Sequence, residues 1–222
     1  TGIQNTIVGG LAGDAITTGS YNIAIGANGG GGVTTGSQNI LIGQGTGMAA
    51  LTGDQNTVVG DSAGGALTSG VRNTVMGASA GAALTTGIRN VAVGVQALLV
   101  DTQGSRSVAV GHNALSGQNF TTATDSYNTA LGHEAGAAVT TAVRNTLVGG
   151  LSGDALTTGA RNTTLGYAAL SGDTLGSRTV AIGYEALGSQ NFTTATDAYN
   201  VAIGYAAGNA VTTGLNNTII GG

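Results

Sequence analysis

The chain has 222 residues and a net charge of −4, with 42 Gly, no Pro, Cys or Trp, and only 7% charged residues. This balance gives no electrostatic case for binding nucleic acid, removes disulfides and thiolate metal sites, and lacks the triplet glycine period of collagen. The 41% apolar content is too high for a disordered chain.

From the N-terminus, the first element is Asn5-Thr6-Ile7-Val8-Gly9, and it recurs to the last residues. Its first position falls at Asn5, Asn22, Asn39, Asn56, Asn73, Asn90, Ser107, Asn128, Asn145, Asn162, Thr179, Asn200 and Asn217. The spacing is 17 residues except for two steps of 21, from Ser107 to Asn128 and from Thr179 to Asn200. The longer units carry matching inserts, Gln118 to Asp125 and Gln190 to Asp197. Numbering from the Asn, position 5 is always Gly, position 4 always bulky and apolar, and position 2 always Thr, Val or Ile. A β-branched run closed by Gly predicts a short strand and a turn. A second strand is predicted later in the unit, over Ala15 to Gly19.

Seventeen residues cannot bury an apolar face alone, so the units are expected to stack as coils with equivalent strands pairing in parallel. The expectation is an all-β parallel β-solenoid of thirteen 17-residue coils, two of them extended to 21, forming one continuous array over 1–222. At about 4.8 Å per coil this makes a rod on the order of 60 Å long. No run is long enough for a membrane-spanning helix and no signal peptide is visible, so no membrane insertion is expected. The start at Thr1 and the ending partway through a repeat lead us to expect a segment of a longer protein. One exchange inside the chain speaks for a packed interior. Most units pair Gly at position 9 with an aliphatic residue at position 12, as in Gly64/Leu67 and Gly153/Leu156. Leu98/Asp101, Leu115/Gln118, Leu170/Asp173 and Leu187/Gln190 invert the pair, as if one core slot is filled from either position.

Positions 2 and 4 share one face of the strand and position 3 points to the other. Position 3 is nevertheless apolar in twelve units, and a strand apolar on both faces is normally buried on both. One face is expected to fill the coil and the other to meet a second copy of the chain. Ile7, Leu41, Val58, Val75, Leu147 and Ile219 are the expected subunit-interface residues.

Asn22-Ile23-Ala24-Ile25-Gly26, Ser107-Val108-Ala109-Val110-Gly111 and Asn200 to Gly208 resemble the head repeats of trimeric autotransporter adhesins, and similar repeats occur in phage tail-fibre proteins. The resemblance covers the whole chain, although the family's coils tend to be shorter than 17 residues. It implies a left-handed β-roll, a homotrimer, an extracellular, cell-surface or virion setting, and adhesion to a host-surface glycan or protein receptor.

All six basic residues are Arg at position 17: Arg72, Arg89, Arg106, Arg144, Arg161 and Arg178. They are either an anion-binding stripe, or a solvated rod face, or partners for Asp or Glu of a neighbouring subunit. Position 6 carries His112 and His133 in adjacent units, then Tyr167, Tyr184 and Tyr205, a candidate platform for packing sugar rings or else a ladder shielding the backbone. With Glu134 the only acid near the two His, no metal site is expected, and no cofactor. Phe120 and Phe192 sit in the inserts, expected to tuck against the rod or a neighbouring subunit, or to serve as functional loops. The Asn at position 1 is expected to stack into a structural ladder.

A structural or adhesive fibre segment is the expected function. A self-assembling extracellular filament without a receptor-binding role is one alternative. An ice-binding solenoid is another, but adjacent Thr at positions 13 and 14 face opposite ways, so no wide outward Thr array is expected there. No enzymatic activity is expected, because the ten acids are dispersed and form no paired carboxylates, and no Ser/His/Asp cluster is visible.

Overall fold

A computed structural model describes all residues, 1–222, and is all-β with no helix. The chain divides into two compact units, 1–107 with 119–125, and 108–118 with 126–222. Each is a parallel β-solenoid with one three-residue strand per turn.

In the first unit the strands are Thr6–Val8, Ile23–Ile25, Ile40–Ile42, Thr57–Val59, Thr74–Met76 and Val91–Val93, each paired in parallel with the next. In the second they are Val108–Val110, Thr129–Leu131, Thr146–Val148, Thr163–Leu165, Val180–Ile182, Val201–Ile203 and Thr218–Ile220, again in consecutive parallel pairs. Register follows the sequence repeat: Thr57 faces Thr74 across a regular unit, and Val180 faces Val201 across an insert. The inserts add two short parallel pairs, Gly104–Ser105 with Thr124–Asp125 and Gly176–Ser177 with Thr196–Asp197.

The glycine at position 5 is required by both conformation and space. Gly43 has φ 134, and a Cβ there would lie 2.5 Å from the Gly60 carbonyl oxygen of the next turn. No L side chain fits both conditions.

The predicted second strand is absent. Over residues 15–19 the chain turns and bends instead. The amides of Thr17, Thr18 and Gly19 all point at one acceptor, the Thr34 carbonyl, at 3.0, 3.4 and 3.3 Å. Three donors converging on one oxygen give a coil, whereas a ladder needs one acceptor per bonded amide.

The expected orientation of the strand is reversed. Leu41, Val58, Val75 and Leu147 at position 3 are wholly buried within the single chain, so they are core residues and not a subunit interface. Ile7 and Ile219, on the first and last turns, keep partial exposure at the same position. Positions 2 and 4 face outward. The core slot is as expected: Leu67, Leu84 and Leu156 fill it from position 12, and Leu98, Leu115, Leu170 and Leu187 from position 9, all fully buried. At position 9 these leucines adopt the left-handed conformation otherwise held by Gly, with φ between 49 and 56. That conformation costs an L residue about 1–2 kcal/mol, a cost that burying a leucine offsets at roughly 1.5–3 kcal/mol.

A signal for this orientation is present in the sequence. A Cβ on Gly47 would lie 2.4 Å from Leu41 Cδ2, and one on Gly64 would lie 3.2 Å from Val58 Cγ1, so positions 9 and 3 touch inside the coil. Leu at position 9 accordingly occurs with a small or short partner at position 3: Leu98 with Ala92, Leu115 with Ala109, Leu187 with Ala181, and Leu170 with Thr164.

Candidate functional site

The outward sheet face is uncharged. In the second unit it carries Thr129, Thr146, Thr163 and Val180 at position 2, beside Leu131, Val148, Leu165 and Ile182 at position 4, all partly or well exposed. The first unit presents the same pattern, with Ile40, Thr57 and Thr74 beside Ile42, Val59 and Met76. A monomer rarely exposes a contiguous apolar patch beyond a few hundred Å².

Position 6 forms an exposed edge of stacked rings in the second unit. His112 and His133 stack with centroids 5.2 Å apart and planes 10° from parallel. Tyr167 stacks on Tyr184 at 5.4 Å, and Tyr184 on Tyr205 at 5.3 Å. Because these rings cover one another's faces, Tyr184 presents mainly its edge, and the series is not a row of open faces for sugars. Tyr205, 68% exposed, ends the series. Hydrogen bonding to the Glu185 carboxylate, and that carboxylate's charge, push the Tyr184 phenol above its ordinary value.

The structure also brings together the two histidines and the glutamate from which no metal site was expected. His112, His133 and Glu134 each place a ligand-type atom within 4.8 Å of the others. His133 Nε2 lies 3.9 Å from Glu134 Oε1.

The arginines do not act as one set. Arg106 pairs with Asp125, and Arg178 pairs with Asp197 at 2.9 Å while its guanidinium lies 5.4 Å from the Tyr199 ring centroid. Both acids belong to the inserts. Arg72 Nε donates to Gln55 Oε1 at 2.9 Å. Arg89, Arg144 and Arg161 are exposed. All six arginines take the left-handed conformation, with φ between 56 and 61. The insert aromatics are not projecting tips: Phe120 and Phe192 are 5% and 6% exposed.

Beneath the surface runs the asparagine ladder. Asn56 Nδ2 donates to the Gly70 carbonyl at 2.9 Å, and Asn56 Oδ1 accepts the Asn73 amide at 3.0 Å. The same two bonds recur in the second unit, where Asn145 donates to Gly159 O and accepts from the Asn162 amide, each at 2.8 Å. These bonds satisfy buried backbone groups that no strand partner reaches. Thr164, the one polar residue at position 3, is buried and shares a hydrogen bond with buried Ser152. Burial pushes the Asp154 carboxyl above its ordinary range; the amides of Asp154 and Ala155 pull it back, and Glu134 adds repulsion.

No family model, curated protein or solved structure matches the chain. No helix is long and apolar enough to cross a membrane.

Proposed function

We propose that this chain is a structural and adhesive fibre segment, the shaft or head of a fibre projected from a cell or virion surface. Its turns are left-handed and three copies associate around a long axis. The hand, the stoichiometry and the extracellular setting rest on the resemblance of its repeats to adhesin heads and tail fibres. The observation that carries self-association is the outward sheet face, uncharged and β-branched or aliphatic on successive turns of each unit. Covering such a face with identical faces of other copies removes it from water at about 25 cal/mol per Å². The receptor is a host-surface glycan or protein, met through the exposed turns, where Arg89, Arg144, Arg161 and Tyr205 are open to solvent.

The test is the mass of the chain in dilute solution by light scattering. Three times 21.3 kDa is expected. Val59→Asp and Ile182→Asp, both on the outward face, should give monomers that retain the wild-type circular dichroism. A wild-type monomer would overturn the reading.

Ice binding is the second reading, and one observation favours it. Thr129, Thr146 and Thr163 occupy consecutive outward positions on adjacent strands, as do Thr57 and Thr74. A flat array of hydroxyls and methyls spaced about 4.8 Å apart is what this task needs. A monomer that lowers the freezing point of its solution by thermal hysteresis would favour it over the fibre.

A further inference from the structure

Position 6 recurs once per turn, and in most turns it carries a Gly, Ala, Val or Tyr, none of them an ordinary ligand for a divalent cation. The turns of His112 and His133 differ. Their backbones are locked in step by the Glu134 amide, which donates to the His112 carbonyl at 2.9 Å, so the two imidazoles project side by side. Glu134 follows His133 directly and takes the left-handed conformation, φ 56. Two imidazole nitrogens and a carboxylate oxygen thus converge within 4.8 Å.

We propose that His112, His133 and Glu134 form a surface site for one divalent transition-metal ion of the Zn²⁺ type. Zn²⁺ takes imidazole nitrogen at about 2.0–2.1 Å and carboxylate oxygen at about 2.0–2.2 Å. Two ligands on one tetrahedral ion therefore lie about 3.3–3.5 Å apart, and the two solvent-facing imidazoles reach that spacing by turning out of their stack so that both nitrogens aim at one point. Two nitrogens with one oxygen select a borderline ion over Mg²⁺ or Ca²⁺, which prefer oxygen ligands. The fourth tetrahedral position stays open to water or to a ligand from outside the chain.

The molecule contains its own control. Tyr184 with Glu185 repeats the position-6 and position-7 pattern of His133 with Glu134, and Tyr205 follows on the next turn as a stacked ring. There a phenol stands in place of the imidazole and offers no ring nitrogen. Only the histidine turns should bind.

The experiment is calorimetric titration of Zn²⁺ into the full chain, free of any histidine tag, with Mg²⁺ and Ca²⁺ run in parallel. One Zn²⁺ per chain and no heat from the other two ions are expected. His112→Ala and His133→Ala should each weaken binding by about tenfold or more, and Glu134→Gln by less; removing even an outer-shell partner of a zinc site typically costs about 10–100-fold. All three side chains are solvent-accessible, so circular dichroism of the variants should match wild type. Absence of Zn²⁺ binding to the wild type, or binding unchanged in both histidine variants, would overturn the proposal.

Discussion

A regular turn and an insert-bearing turn fill the polar part of the interior with different side chains and different bonds. In the turn beginning at Asn73, one buried amide donates to the Gly87 carbonyl at 2.9 Å and accepts the Asn90 amide at 2.9 Å. In the turn beginning at Thr179, the hydroxyl takes only a 3.3 Å contact from Gln190 Nε2, and Gln190 links side chains of neighbouring turns and not the backbone groups that Asn73 serves. Gln190 Oε1 accepts Asn200 Nδ2 at 2.7 Å and its Nε2 donates to Asp173 Oδ2 at 2.6 Å. Asp173 Oδ1 in turn accepts the amides of Gly176 at 3.0 Å and Phe192 at 3.1 Å, fastening the insert. Because Asp173 and Gln190 take position 12 for this network, the apolar slot is filled from position 9, by Leu170 and Leu187. The inverted pairs and the departures from Asn at position 1 therefore belong to one local redesign: a polar network that anchors an insert while the core volume is kept.

The comparison is broken most severely by removing the polar group that each turn relies on. Asn73→Ala strands the Asn90 amide and the Gly87 carbonyl in the interior. At about 1–3 kcal/mol per buried orphan, it should lower unfolding stability by roughly 4 kcal/mol in chemical denaturation. Gln190→Ala should cost a comparable amount, whereas Thr179→Ala, which loses only a 3.3 Å contact from Gln190, should cost about 1 kcal/mol or less. Equal losses for Asn73→Ala and Thr179→Ala would refute the view that position 1 carries the polar load only in the regular turn.

Slot exchange predicts a smaller, coupled effect. A Cβ on Gly153 would lie 2.9 Å from both Leu156 Cδ1 and Leu147 Cδ2. Gly153→Leu alone should overpack the turn, costing about 1–3 kcal/mol. Combined with Leu156→Gln and Leu147→Ala, which recreate the composition of the Leu187 turn, the penalty should be less than the sum of the parts by at least about 1 kcal/mol. Additivity of the three changes would remove the shared-slot account.

The smallest effect concerns Asp154. Its raised pKa means that the folded chain holds this proton more tightly than the unfolded chain, whose value is near 3.8. Ionisation in the fold therefore costs stability at neutral pH, and the cost fades as pH falls through the folded value towards the unfolded one. Asp154→Asn should raise the thermal midpoint by about 1–2 °C at pH 7, and the difference should vanish near pH 3.5. A gain that persists in acid would point to packing instead of charge.

The repeat length, the strand at positions 2 to 4, the glycine corner and the parallel stacking were legible in the sequence by itself. Each is enforced locally: β-branched runs favour extended backbone, and only Gly tolerates φ near 134 beside the next turn's carbonyl. Alternation also separated position 3 from positions 2 and 4. It did not say which set is inside, since both are apolar, and the answer lay in the volume match between positions 3 and 9. The missing second strand and the pairing of Arg106 and Arg178 with insert acids of the same chain were decided by tertiary structure, whereas the tucking of Phe120 and Phe192 was expected. The neighbourhood of His112, His133 and Glu134 followed from the repeat, but their approach within 4.8 Å and the 5.2 Å ring stack were decided by tertiary structure, because a 21-residue spacing becomes that separation only when the turns stack in register.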